Sequence, residues 1–286
     1  MNSLRCDLNK TVVNSGFIGA VFITCLLCFT AYAYIDGATN KTYSVFESLF
    51  TLDKEIIHNN SDFASIFIFR KAMSGYITMF LPIIVAFPFM VSFCAERNNG
   101  LMRFTIIRIG KYKYYLSKFF ASFISGGLAV LIGISIFGII SIILFPNLSS
   151  YNLSPEELEG LLPEGIYISV LKTLISAFAY GAVSTLPAFL LSSFCKNPYL
   201  ITCIPFLLTY IWNTALEKFI SKSVEAGDFE IYEKLSPFYP NALATLCYSY
   251  EFDLAAKKTI LFNVIYLFVI LISFILIMNK RRDKGC

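Results

Sequence analysis

Few residues in this 286-residue sequence have the type and spacing to do chemistry. Cys25-x-x-Cys28 has the spacing of a thiolate metal or redox pair, yet no second ligand pair or histidine stands near it, so it reads as packing on one helix face. His58, the sole histidine, reads as a solvated loop residue. No G-x-x-x-x-G-K-[ST] phosphate loop occurs, so the chain lacks the residues to hydrolyse ATP. No catalytic residue, metal site or cofactor of its own is expected. What remains is binding, concentrated in the run ERNNGLMRFTIIRIGKYKYYLSK from Glu96 to Lys118. Its apolar residues Met102, Phe104, Ile106, Ile107 and Ile109 are expected to pack, while Arg103, Arg108, Lys111 and Lys113 face water, acidic lipid or a partner's acids. Glu96 and Arg97 are placed to pair with neighbouring charges or to cap helix ends.

The elements holding these residues are set by the solvent. A chain with 57% hydrophobic residues, 15% charged residues and a mean hydropathy of +0.68 is too apolar for a soluble domain. Runs of about 20 apolar residues, the length a helix needs to cross hydrocarbon, occur at 16–35, 73–94, 119–145, 166–194, 199–216 and 259–279. The expectation is therefore an all-α polytopic membrane protein, one domain over 1–286, with six transmembrane helices and an N-terminal interfacial helix at 1–15. The first apolar run is too long, and too poorly followed by small residues, for a cleaved signal peptide, so it counts as the first span.

Charge sets the orientation, because Lys and Arg accumulate in cytoplasmic loops. With both termini inside, the inner segments hold 13 Lys and Arg against Asp7, Glu96 and Asp283, and the outer segments hold 9 against 16 acids. The basic segment at 95–118 then lies inside. This places the chain in a cell membrane, multi-pass, with lipids as neighbours. Nucleic acid is excluded as a partner, since the positive charge flanks membrane helices rather than forming a soluble face. The eight cysteines imply no disulfide framework, because only Cys247 falls in an outer segment.

Residues 2–14 alternate Leu4, Leu8 and Val12 with Arg5, Asp7 and Lys10, which suits a helix in the inner interface leading into the first span at an angle. An apolar-periodic piece from Val45 to Ile57 fits either the membrane surface or a lid. Pro82, Pro88, Pro187 and Pro205 predict kinks, whose freed carbonyls need partners other than lipid. Gly126, Gly127, Gly133 and Gly138 predict close helix approach in the third span. The segment Pro146–Gly165 is acidic and reads as a solvated cap, and Ala242–Tyr248 as a re-entrant or interfacial helix. The spans hold no Asp, Glu or His, which argues against an intramembrane protease or lipid transferase. They do hold Lys172, whose ammonium must snorkel, pair or meet an anion. With Pro82 and Pro88 it forms the candidate substrate pathway.

The run FLPIIVAFPFMVSFCAERNNGLMRFTIIRIGKYKYYLSKFFASFISGG from Phe80 resembles the second span, inner loop and third span of ABC-2-type transporter permeases, especially small Gram-positive ones. The likeness rests on a proline-bearing span, then Glu96 with Gly100, then Arg108, Lys111 and Tyr114 in an R-x-x-+-x-x-Y pattern, then Lys118 opening the next helix. Leu235-Ser236-Pro237-Phe238-Tyr239 before the last span and the whole-chain layout also look like that family. One departure is Ile109-Gly110-Lys111, where many members carry a proline or a Pro-x-Ser turn. Gly110 can supply that turn through a positive φ.

The resemblance implies a homodimer or a heterodimer with a second permease, driven by separate ATP-binding subunits that carry ATP and Mg. Each 95–118 loop would form a coupling helix seated on such a subunit, with Glu96, Arg97, Gly100, Arg103, Arg108, Gly110, Lys111, Tyr114 and Lys118 as coupling residues. It also implies export, of an amphipathic peptide, antimicrobial or lipid-like cargo. A channel, or a non-transporting immunity or sensor subunit, has the same topology without needing nucleotide, and the basic loop could serve topology alone.

Overall fold

The structure is a computed structural model describing residues 2–37, 41–151, 153–195, 197–225, 231, 234–239, 242–246 and 254–282. Lys196, Pro240, Cys247, Tyr248 and the tail from Asp283 to Cys286 lie outside these residues, as does part of the charged stretch between Glu217 and Lys234.

Helix α1 (Asn2–Val12) meets α2 (Ser15–Cys28) at a 56° bend. Asn14 makes the corner: its side chain accepts from the Gly16 amide at 2.8 Å, capping α2, while its Nδ2 donates to the Pro88 carbonyl at 3.3 Å. The α1 helix does not simply rest on a membrane surface, because Asp7 and Thr11 are buried. The α2 helix stops at Cys28, short of the expected end at 35, and Thr30 turns back to donate to the Leu27 carbonyl at 2.7 Å. Beyond it, Tyr-Ala-Tyr-Ile has the period of two that favours a strand. It forms β1 (Tyr32–Ile35), antiparallel to β2 (Thr42–Ser44), in an otherwise helical protein. At ~1.5 Å per residue α2 is about 21 Å long, too short for a ~30 Å hydrocarbon layer without its bent partner.

A cap follows, made of α3 (Val45–Thr51), α4 (Lys54–Asn59) and α5 (Ser65–Arg70). Ser44 and Glu47 form a capping box at the start of α3. The piece from Val45 to Ile57 is thus two helices, with Val45 and Ile57 in the core and Phe46 and Phe50 exposed. All of α5 is buried, and the Arg70 guanidinium donates to the Leu161 carbonyl at 3.1 Å.

The chain then bends by 58° into the second span, which is itself broken into α6 (Ile77–Ile84) and α7 (Phe87–Asn98). Pro82 sits inside α6 and Pro88 in the first turn of α7. Pro82 has no N–H for the Thr78 carbonyl, and the Tyr180 hydroxyl donates to that oxygen instead, at 2.9 Å.

After α8 (Leu101–Ile109), the central helix α9 (Lys111–Leu144) runs the length of the bundle. It is followed by α10 (Pro155–Leu161), α11 (Ile166–Ser184), α12 (Leu186–Ser192), α13 (Pro198–Glu225), α14 (Ala242–Thr245) and α15 (Leu254–Arg282). The fourth span is divided between α11 and α12, next to Pro187. α9 and α11 pack glycine to glycine, since a Cβ on Gly181 would lie 2.9 Å from the Gly126 carbonyl oxygen. The short α14 has Ala242, Leu243 and Ala244 buried, so this piece of the expected interfacial helix is drawn into the core.

Two large apolar cores result among the described residues, beside a small cluster of Phe17, Ala20, Ile84 and Ala129. One joins the cap to the far half of α9 through Phe63, Phe69, Phe137 and Phe145. The other gathers Phe89, Phe93, Tyr115, Phe119, Phe189 and Phe274 near α8, with the Phe189 and Phe274 ring centres 4.1 Å apart. The stretches Lys111–Ser150, Glu156–Ser192, Pro198–Ser223 and Ala256–Lys280 are each long and apolar enough to cross a membrane, and counting each bent pair as one span brings the number to six. The chain is an all-α polytopic membrane protein, with one small β-hairpin among the described residues.

Candidate functional site

The segment 95–118 is almost entirely helical rather than a loop. α7 continues to Asn98, the turn at Asn99-Gly100 reverses the chain, α8 follows, and Gly110 alone separates it from α9. Both glycines take a positive φ, +71° at Gly100 and +90° at Gly110, which a side chain would strain. A short helix is thus hung between two sharp corners.

No residue of α8 is buried. Met102 and Ile106 pack partly against the neighbouring core, but Phe104 and Ile107 are 73% and 80% exposed. The expectation that these two pack is therefore corrected: at i and i+3 they form an apolar spot facing away from the bundle. Arg103 and Arg108 are also exposed, with no ion pair among the described residues. Lys111 lies over its neighbour Tyr112, 4.8 Å from the ring centre.

The roots of the hairpin are fastened by charge. Lys118 lies two turns inside α9 rather than at its start, is 4% exposed, and bridges Asp7 Oδ1 and Glu96 Oε2, each at 2.7 Å. Lys10 reaches the other Glu96 oxygen at 2.9 Å. The Ser117 hydroxyl donates to Asp7 at 2.5 Å, Ser3 donates to Ser117 at 3.2 Å, and the Tyr114 hydroxyl points to Glu96 at 3.4 Å. Two lysines and two carboxylates balance: Asp7, Glu96 and Lys118 are buried, and Lys10 closes the cluster from its exposed edge. Burial pushes the Glu96 carboxyl up, but Lys118 and Lys10 outweigh it and hold it below the ordinary carboxylate value.

Arg97 points the other way. Its guanidinium donates to the carbonyls of Ser192, Ser193 and Cys195, at and just beyond the end of α12. Those carbonyls lack helical partners and carry the negative end of the helix dipole, so a cation there both caps and neutralises. Glu96 and Arg97, adjacent in sequence, thereby connect α7 to α1 and α9 on one side and to α12 on the other.

Lys172, Pro82 and Pro88 are not brought together. Lys172 pairs with Glu164 at 2.5 Å, both side chains partly accessible, and lines a cavity of about 470 Å³ between α11 and α15. Pro82 and Pro88 are buried in the broken span and do not line that cavity.

His58 is exposed on α4, and Cys25 and Cys28 are buried in α2. Among the described residues no group of three or more His, Cys, Asp or Glu is placed to hold a metal ion. The sequence reading sets Asp7 and Lys10 on an interfacial helix and counts them as inner charges, with no partner assigned to either. Their spacing of three on one face of α1 was the available signal that both point at a common neighbour. No protein-family model matches the sequence, and no curated protein matches it.

Proposed function

We propose that this polytopic membrane protein is the permease subunit of an ATP-binding-cassette transporter, moved by separate ATP-binding subunits that grip α8 on the cytoplasmic side. One observation carries the reading: an exposed helix with an apolar spot at Phe104 and Ile107 and exposed arginines at 103 and 108, whose roots are tied into three other helices. A handle needs an accessible face and a stiff connection, and α8 has both. Closure of the ATP-bound partners would bias the bundle between two states by its differential contact with α8. The exported cargo fitting this bundle is amphipathic, a peptide, antimicrobial or lipid-like molecule, because many of the serine and threonine hydroxyls buried between the helices are turned onto their own backbone carbonyls.

The test is capture. With Phe104→Cys in the tagged full-length chain, a thiol cross-linker applied to native membranes should join it to a nucleotide-binding protein. That protein's ATPase activity should appear only in the complex or in the partner. Robust ATP turnover by the isolated chain, or no nucleotide-binding protein cross-linked, overturns the reading.

A further inference from the structure

The cavity beside Lys172 has the shape of a slot. Its walls are one stripe of α11 from Ile168 to Val183 and one stripe of α15 from Ala256 to Leu267. Leu243 and Leu246, in and after α14, bridge the two helices, and Phe123 of α9 forms the floor. At ~1.5 Å per residue these stripes are about 22 and 16 Å long, each enough to run the ~15 Å depth of one hydrocarbon leaflet. Ile168, Leu171, Ile175, Ile260 and Val264 are all partly open at its lips, so the slot faces the lipid sideways. Apart from Lys172, Ser176 and Asn263 the lining is apolar, so a hydrocarbon chain lying along the helices fills it better than water does.

The charged end narrows the choice of occupant. Lys172 lines the slot, and Glu164 holds its ammonium at 2.5 Å from just before the first turn of α11. An anionic headgroup that took Lys172 would strand the Glu164 carboxylate. A headgroup carrying both a phosphate and an ammonium replaces each partner with one of the same charge, so neither side chain is left unpaired. We propose that this slot is a binding site for one acyl chain of a zwitterionic aminophospholipid, its phosphate at Lys172 and its ammonium at Glu164. The site is an equilibrium lipid site and makes no use of the ATP-driven reading.

The test uses the full chain with a benzophenone amino acid at position 175, in vesicles of equal phosphatidylethanolamine and phosphatidylglycerol. A second position, 211, on the exposed face of α13, reports unselective lipid contact. Adducts at 175 should favour phosphatidylethanolamine roughly fivefold more than adducts at 211 do. Ala179→Phe, which narrows the slot, should reduce lipid adducts at 175 and leave 211 unchanged. Lys172→Gln should remove the headgroup preference while keeping the adduct. The same lipid ratio at both positions, enrichment of phosphatidylglycerol at 175, indifference to Ala179→Phe, or cross-linking at 175 to a second copy of the chain would each overturn the assignment.

Discussion

Lys118 on α9 and Asp7 on α1, separated by 111 positions in the chain, are joined at 2.7 Å in a buried ion pair. This pair fastens the N-terminal helix to the root of the basic hairpin. Glu96 shares the same ammonium, so α1, α7 and α9 meet at one nitrogen.

Removing that nitrogen is expected to be costly. Lys118→Met strips the buried Asp7 of its cation and leaves Glu96 paired only with the exposed Lys10, and breaking a buried pair from one side costs about 3–5 kcal/mol. Thermal unfolding of the purified protein should shift down sharply. The triple variant Lys118→Met, Asp7→Asn, Glu96→Gln should recover most of the loss, because no charge is then stranded. Equal destabilisation by the single and triple variants would show that packing, not charge, holds this junction.

Acid should loosen the same junction in a defined window. The Glu96 carboxyl titrates below its ordinary value of 4.5 in the folded protein, so between the two values the unfolded chain binds more protons. Its contribution to stability is complete above 4.5 and is lost as pH falls through the lower folded value. Unfolding midpoints measured against pH should fall more steeply below this point for the native protein than for Glu96→Gln.

The kink at Pro82 supplies a coupled pair. Tyr180→Phe leaves the half-buried Thr78 carbonyl without its donor, at a cost of about 1 kcal/mol. In the background of Pro82→Ala, which restores a backbone N–H to that carbonyl, the same change should cost much less. A double-mutant cycle with no coupling between the two positions would refute this account of the kink.

Two changes in the hairpin bear on function. Gly100→Pro demands a φ near −65° where the corner has +71°, so α8 must reorient while the spans stay apolar enough to insert. Arg108→Glu reverses an exposed charge at the end of α8. On the proposed permease reading, both should uncouple ATP hydrolysis from transport in vesicles that also hold a captured ATP-binding subunit, while the protein still inserts normally. Normal transport by both variants would remove α8 from the mechanism.

Hydrophobic length and turn chemistry were legible along the chain because each depends only on nearby residues. The six apolar stretches, the bend between α1 and α2 and the turn at Gly110 all belong to this class. Boundaries slipped where a second local signal competed, as when Tyr32–Ile35 formed a strand instead of ending a span, or when helical structure continued through the basic segment to leave only its two corners. The charges in that segment were visible, but their partners were not. Whether Lys118 meets Asp7, Arg97 caps α12 or Tyr180 serves Thr78 depends on how each helix is rotated about its axis and how deep it sits. Those angles are set by the close approach of α9 and α11 and by the two aromatic cores, which are properties of many residues packed together. Sequence alone determined that the chain enters a membrane and exposes a basic hairpin; only the tertiary structure decided which buried charges hold that hairpin in place, because an ion pair forms between helices and not within one.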